Sequence, residues 1–205
     1  MENTKKKIIA EATFLLTLKN GFGNVSIKEI QEASGLSRGS IYHYFKDKEE
    51  IFMYMVDIYL SDNFFEYKKA IKKSSDSFIK RIENVFHSVL ILDEKEFIFP
   101  DSFKYKYDNK KYFQIFYSSV YKPTKCKLIL HKLYEESFNF YRELVEEAVE
   151  NKEINDDTDV DALAMSIHTI LKGCLHLWVF YPDLPSKKYI NANLKTFMHL
   201  IGYEN

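Results

Sequence analysis

Between Ser26 and Phe45 the sequence contains two helices, each too short to be stable alone, and this pair constrains the fold more than any other feature. Ser26-Ile27-Lys28-Glu29 reads as a capping box, in which the serine hydroxyl accepts from the N–H of Glu29 and the glutamate carboxylate accepts from the N–H of Ser26. The helix it starts ends near Ser34, where Gly35 supplies a turn, and Ser37 caps a second short helix reaching Tyr44. A helix over 5–20, with Ile8, Ala12, Leu15 and Leu16 on one face, precedes the pair. Asp47 opens a long amphipathic helix over 47–73 through Ile51, Met55, Ile58 and Phe65. Two short helices joined by a glycine turn and backed by a third make a helix-turn-helix, whose second helix can lie in the major groove of DNA.

The rest of the chain continues in the helical period. Apolar residues recur at three- and four-residue intervals, and no run shows sustained strand-like alternation. Helices are expected over 76–92, 94–107, 109–120, 124–151, 158–181 and 186–203, with an acidic loop at 155–159 and a short Tyr181-Pro182-Asp183-Leu184-Pro185 connection before the last. The fold class that follows is all-α. A helix-turn-helix domain occupies residues 1–47 and a larger helical domain occupies 48–205.

Composition narrows the function classes. The chain has 205 residues and a formal net charge of -1, so attraction to nucleic acid has to come from a locally basic surface. Cys126 and Cys174 are far apart and lack Cys-x-x-Cys spacing, which fits a reducing compartment and argues against a disulfide framework or a zinc site. The stretch from Ile167 to Phe180 is interrupted by His168, Lys172 and His176, so no membrane span is expected. The polar start from Met1 to Lys7 carries no apolar signal-like run, and the cytoplasm is the expected compartment.

The run Ile8-Ile9, Ala12, Leu15-Leu16, Gly21-Phe22, Ser26-Ile27, Ile30 and Gly35 through Glu49 closely resembles the signature of the TetR family of bacterial transcription regulators. The departures are Glu11, Gln31 and Ser34, where the family more often has alanine, and Leu36, where it more often has valine. The resemblance implies a DNA-binding regulator, most simply a repressor that a small molecule releases from a palindromic operator. Ser26, Ser37 and the helix termini can offer hydroxyl and N–H donors to phosphate oxygens, and Tyr42, His43 and Lys48 match positions that contact the DNA backbone in this family. Arg38 and Ser40 stand at the front of the recognition helix, where they can reach base edges, and the arginine fork matches guanine O6 and N7. Gly39 lets the helix approach the duplex closely, while Ile30, Leu36, Ile41 and Phe45 read as the core fixing the helix angle. Lys5, Lys6 and Lys7 read as a solvated basic tail, with an arm toward DNA as the alternative.

The same resemblance gives the larger domain ligand-binding and dimerisation roles. Phe86, Leu90, Phe103, Phe116, Tyr117, Tyr141 and Trp178 are the candidate lining of a small-molecule cavity. The last two helices resemble the pair that dimerises as a four-helix bundle, with Ala162, Met165, Thr169, Ile190, Leu194, Phe197 and Ile201 as its seams. No cofactor or metal is expected. The alternative function is a DNA-binding protein without an inducer, whose larger domain binds a protein partner or organises chromosomal DNA.

Other patterns lack the context their chemistry requires. Gly35-Leu36-Ser37-Arg38-Gly39 satisfies the nucleophile-elbow spacing, but no strand precedes it, and no paired carboxylates or phosphate loop suggest an enzyme. Asn24-Val25-Ser26 spells a glycosylation sequon in a chain with no sign of secretion. His168 and His176 are eight residues apart, twice the spacing of a zinc-binding helix pair, and with Lys172 read as a polar lining or as core histidines. The Phe, Tyr and Lys residues over 97–121 read as core aromatics with a solvated lysine face rather than as a single-strand nucleic-acid platform.

Overall fold

The computed structural model describes residues 2–73, 76–91, 110, 113–114, 124–181 and 183–203. Among them every regular element is helical: α1 (Glu2–Asn20), a 3-10 turn (Phe22–Asn24), α2 (Ile27–Ser34), α3 (Arg38–Tyr44), α4 (Lys48–Lys73), α5 (Phe78–Ile91), α6 (Thr124–Glu150), α7 (Val160–Phe180) and α8 (Ser186–Leu200). The helix expected over 94–107 lies outside the described residues, as does that over 109–120 apart from 110, 113 and 114. The chain forms two compact units, Met1–Phe64 with Lys111–His131 and Phe65–Lys110 with Lys132–Asn205, and α4 and α6 contribute to both.

In the first unit α1 packs on α2, and α2 on α3. Ile9, Val25, Ile30, Ile41, Phe45 and Ile51 form one buried cluster, with Leu16, Ile27, Leu36, Tyr44 and Tyr54 packed against it. The buried stripe of α1 is shifted from the expected one: Ile9, Ala10, Ala12, Thr13, Phe14 and Thr17 are buried, while Ile8 is exposed. The two threonines can be buried because each hydroxyl donates to a carbonyl one turn earlier, Thr13 to Ile9 at 2.8 Å and Thr17 to Thr13 at 2.7 Å. Phe14 meets Tyr59 of α4 with ring centroids 4.6 Å apart.

In the second unit α5 packs on α7 and α8, and α7 on α8. Phe86 and Phe197 meet at 5.7 Å in its core. Arg81 is buried, its guanidinium 2.8 Å from Glu147 and 3.8 Å from Glu153, which fastens α5 to the end of α6. Ion pairs from Lys68 to Glu136 and from Lys72 to Glu143 join the end of α4 to α6. Asp159 caps α7, accepting from the N–H of Ala162 at 3.0 Å. By length and composition alone α7 is long and apolar enough to cross a membrane. One face of it packs into the protomer, burying Ala164, Ile167, Leu171, Cys174, Trp178 and Val179.

Candidate nucleic-acid interface

The α2–α3 pair is fixed by local chemistry at all its ends. Ser26 Oγ accepts from the Glu29 N–H at 3.2 Å and donates to the Glu29 carboxylate at 2.7 Å, and that carboxylate accepts from the Ser26 N–H at 2.8 Å. These bonds from Ser26 hold the Glu29 carboxyl below its ordinary range. Gly35 ends α2 at φ 67°, a left-handed conformation that glycine adopts without strain, and its N–H donates to Gln31 O at 3.1 Å. Ser37 begins α3, accepting from the Ser40 N–H at 3.1 Å. Asp47 begins α4, accepting from the Glu50 N–H at 2.8 Å, while Glu50 accepts from the Lys46 N–H at 2.6 Å.

Held this way, α3 turns Ile41 into the core and leaves Ser37, Arg38, Gly39, Tyr42 and His43 exposed, with Ser40 half-buried. The Arg38 guanidinium lies 5.6 Å from the Tyr42 ring centroid, one turn along the same helix, so that stacking steadies a cation on an exposed face. A Cβ on Gly39 would meet no atom within 4 Å. Nothing inside the fold therefore asks for glycine there, although glycine costs a helix about 1 kcal/mol relative to alanine. Ser26 is exposed, but its hydroxyl proton is committed to Glu29. Lys48 is half-buried, its ammonium donating to the carbonyl of Val25 at 2.8 Å, a contact that nothing local in the sequence signals. Of the eight residues singled out from the sequence, six are on α3 or its cap, and Ser26 and Lys48 flank the entry to α2.

Three of the expected cavity residues have described side chains, Phe86, Tyr141 and Trp178. Phe86 and Trp178 are core residues, with the Lys110 ammonium 5.6 Å from the Trp178 ring centroid. Tyr141 is buried and hydrogen-bonded to Tyr67 of α4, and burial raises its phenol well above the ordinary range. The side chain of Leu90 and the residues Phe103, Phe116 and Tyr117 lie outside the described residues. Of the expected dimer residues, Ala162, Met165 and Thr169 are exposed on α7, Leu194 and Ile201 are half-buried, and Ile190 and Phe197 are buried in the protomer's own core.

A cluster that sequence reasoning did not assemble lies between α6 and α7. The His168 ring is stacked near Tyr134 (5.9 Å, 27°) and Phe138 (6.5 Å, 25°) and meets Tyr141 edge-on at 5.9 Å. The Lys172 ammonium sits 4.8 Å from the Tyr134 ring centroid. Burial, followed by the Lys172 charge, pushes His168 down to about 4, and burial pushes Lys172 down to about 8. Spacing of three and four residues on α6 and of four on α7 was the available signal; the partnership between the helices was not. Among the described residues no group of three or more His, Cys, Asp or Glu side chains is placed to hold a metal ion.

Residues 9–55 match the family model described as bacterial regulatory proteins, tetR family. An uncharacterized HTH-type transcriptional regulator of Bacillus subtilis, YuxN, is 31% identical over 98 residues, 46% of this chain and 33% of that protein. The chain therefore spans only a third of that relative's length. A TetR transcription regulator from Haloarcula marismortui superposes with a TM-score of 0.75 over 98% of this chain and 97% of that one at 14% identity. E. coli NemR in its reduced form gives 0.72 over 98% and 100% at 12% identity. A Saccharomonospora viridis protein solved in complex with choline gives 0.73 over 96% of both chains at 16% identity. At these identities the structural likeness is one of fold, an N-terminal helix-turn-helix followed by a helical domain. Residues 9–55 thus carry the helix-turn-helix segment of the tetR family of bacterial regulatory proteins, and over nearly its whole length the chain shares the fold of solved TetR-family regulators.

Proposed function

We propose that the protein is a cytoplasmic, homodimeric repressor in which residues 1–47 hold a palindromic operator and residues 48–205 carry the dimer face and a small-molecule site. The observation that carries the DNA reading is α3 itself: a capped helix whose exposed face presents Ser37, Arg38, Gly39, Tyr42 and His43, with a glycine the fold does not require. Arg38 and Ser40 read bases, while Ser37, Tyr42, His43 and Lys48 hold phosphates and so fix the register. Ser26 contributes through the capping box that sets the angle of α2.

Two recognition helices in successive major grooves require a two-fold dimer, and its symmetry makes the operator a palindrome. The outer face of α7 supports a helix-pair interface: Ala162, Met165 and Thr169 are exposed and uncharged at three- and four-residue spacing, and Leu194 adds a half-buried apolar side chain from α8. The choline held by the S. viridis protein supports a small-molecule site in the same fold. A ligand releases the operator only through a difference in its affinity for the DNA-bound and free conformations. Selecting bound duplexes from a random library tests the reading, with a palindromic winner bound by two protomers as the expected result. Enrichment of no duplex, or binding of a single protomer, overturns it.

A further inference from the structure

Several cations among the described residues of the second unit face carboxylates. Arg81 faces Glu147 and Glu153, Lys68 faces Glu136, Lys72 faces Glu143, and Arg142 faces Glu146 and Asp161. Lys172 has no carboxylate partner among the described residues, and its contact is the face of Tyr134. A cation–π contact contributes about 0.5–2 kcal/mol, whereas an ammonium drawn out of water costs several. Beside it lies a group of near-parallel rings. His168 stands nearly parallel to Tyr134 and Phe138, and it is kept neutral by burial and by the Lys172 charge. One positive centre beside stacked rings suits a flat molecule carrying a negative group. A cationic ligand would be repelled by Lys172.

We propose that Tyr134, Phe138, His168 and Lys172 bind a planar carboxylate as the effector, and that Tyr141 passes its binding to α4 through Tyr67. This rests on the ligand-responsive reading above and adds the chemical class of the ligand. The carboxylate pairs with the Lys172 ammonium, and its ring lies against His168 and the aromatic side chains of α6. Tyr141 is the connecting residue: its ring meets His168 edge-on, and its hydroxyl is hydrogen-bonded to Tyr67, which also meets Phe140 at 6.0 Å. A ligand that moves His168 therefore moves a ring bonded to α4, the helix that begins at Lys48.

The test uses the full chain, its selected operator duplex and one ring in three charge forms, with a larger ring as a check on size: benzoate, benzamide, benzyltrimethylammonium and 2-naphthoate. Calorimetry reads affinity and fluorescence anisotropy reads operator release. The expected result is that the carboxylates bind at least about tenfold tighter than benzamide, the scale of one charge-assisted bond, and release the operator. Lys172→Met loses that preference and Lys172→Arg keeps it. Tyr141→Phe binds the carboxylates as wild type does but releases less operator. Equal affinity for benzoate and benzamide, or an unchanged preference in Lys172→Met, overturns the assignment. Unchanged release by Tyr141→Phe overturns the relay. Release by benzyltrimethylammonium alone sinks this inference and leaves the ligand-responsive reading standing, whereas release by none of the probes counts against both.

Discussion

The ammonium of Lys48 donates to the backbone carbonyl of Val25 at 2.8 Å, tying the first turn of α4 to the residue that precedes the cap of α2. This bond spans 23 positions in sequence and helps to set where the helix-turn-helix stands on its third supporting helix. Lys48→Met is expected to lower stability by about 1 kcal/mol in urea titrations, the usual net value of one such bond. If the ammonium also holds a phosphate, Lys48→Met lowers the slope of log affinity against log salt by about 0.9. An unchanged slope would restrict Lys48 to holding the helices together.

The two glycines of the motif are expected to respond in opposite directions. Gly35 sits at φ 67°, so Gly35→Ala forces a side chain into left-handed backbone and lowers stability by about 1 kcal/mol or more. Gly39 is helical with open space around it, so Gly39→Ala raises stability by up to about 1 kcal/mol. The same Cβ stands on the face proposed to meet DNA, and operator affinity falls. Thermal melts and operator titrations on the two variants separate these effects, and a Gly39→Ala protein that melts higher and binds DNA as before would place the duplex elsewhere.

Surface and core substitutions on the last two helices should likewise diverge. Met165 is 52% exposed, and Met165→Glu is expected to split the dimer in sedimentation while leaving the fold of the protomer intact. Phe197 is 1% exposed against Phe86, so Phe197→Ala costs about 3–5 kcal/mol of stability through the cavity it leaves. A dimer unaffected by Met165→Glu moves the interface off this face of α7.

Acid should weaken the second unit through His168. Its pKa is pushed down from 6.5 to about 4, so between these values the unfolded chain takes a proton that the folded chain refuses. The contribution of the neutral ring is complete above pH 6.5 and is lost as pH falls through that window. Lys172, pushed down from 10.5 to about 8, makes stability rise from about pH 8 upward. Among the described residues the titratable groups against His168 are Tyr134 and Tyr141 of α6 and Lys172 of its own helix. Urea midpoints of wild type and His168→Phe at pH 7 and pH 5 isolate the histidine, and the wild type is expected to lose more. Equal losses would show that the buried ring carries no such penalty.

The parts of the fold that were legible from sequence are those written in adjacent residues. Ser26 with Glu29, Gly35, Ser37 and Asp47 each determine a helix end within four positions, and the structure places caps or a turn at all of them. The buried face of α1 was misread because Thr13 and Thr17 count as polar in a periodicity, yet satisfy their hydroxyls on the helix's own carbonyls. Ile190 and Phe197 show a different limit. An apolar stripe on a terminal helix records that it will be covered, not whether by its own chain or by a second copy. The Lys48–Val25 bond and the meeting of His168 with Tyr134 depend on tertiary placement, and no local spacing encodes them.

The central claim is that the exposed face of α3 reads DNA sequence, and operator titration of wild type against Arg38→Ala over a range of salt concentrations tests it most directly. The account predicts a steep salt slope in both proteins and loss of about 1–3 kcal/mol of preference for the selected duplex in the variant, the discrimination of one bidentate base contact. An Arg38→Ala protein that keeps its full preference for that duplex would contradict the claim.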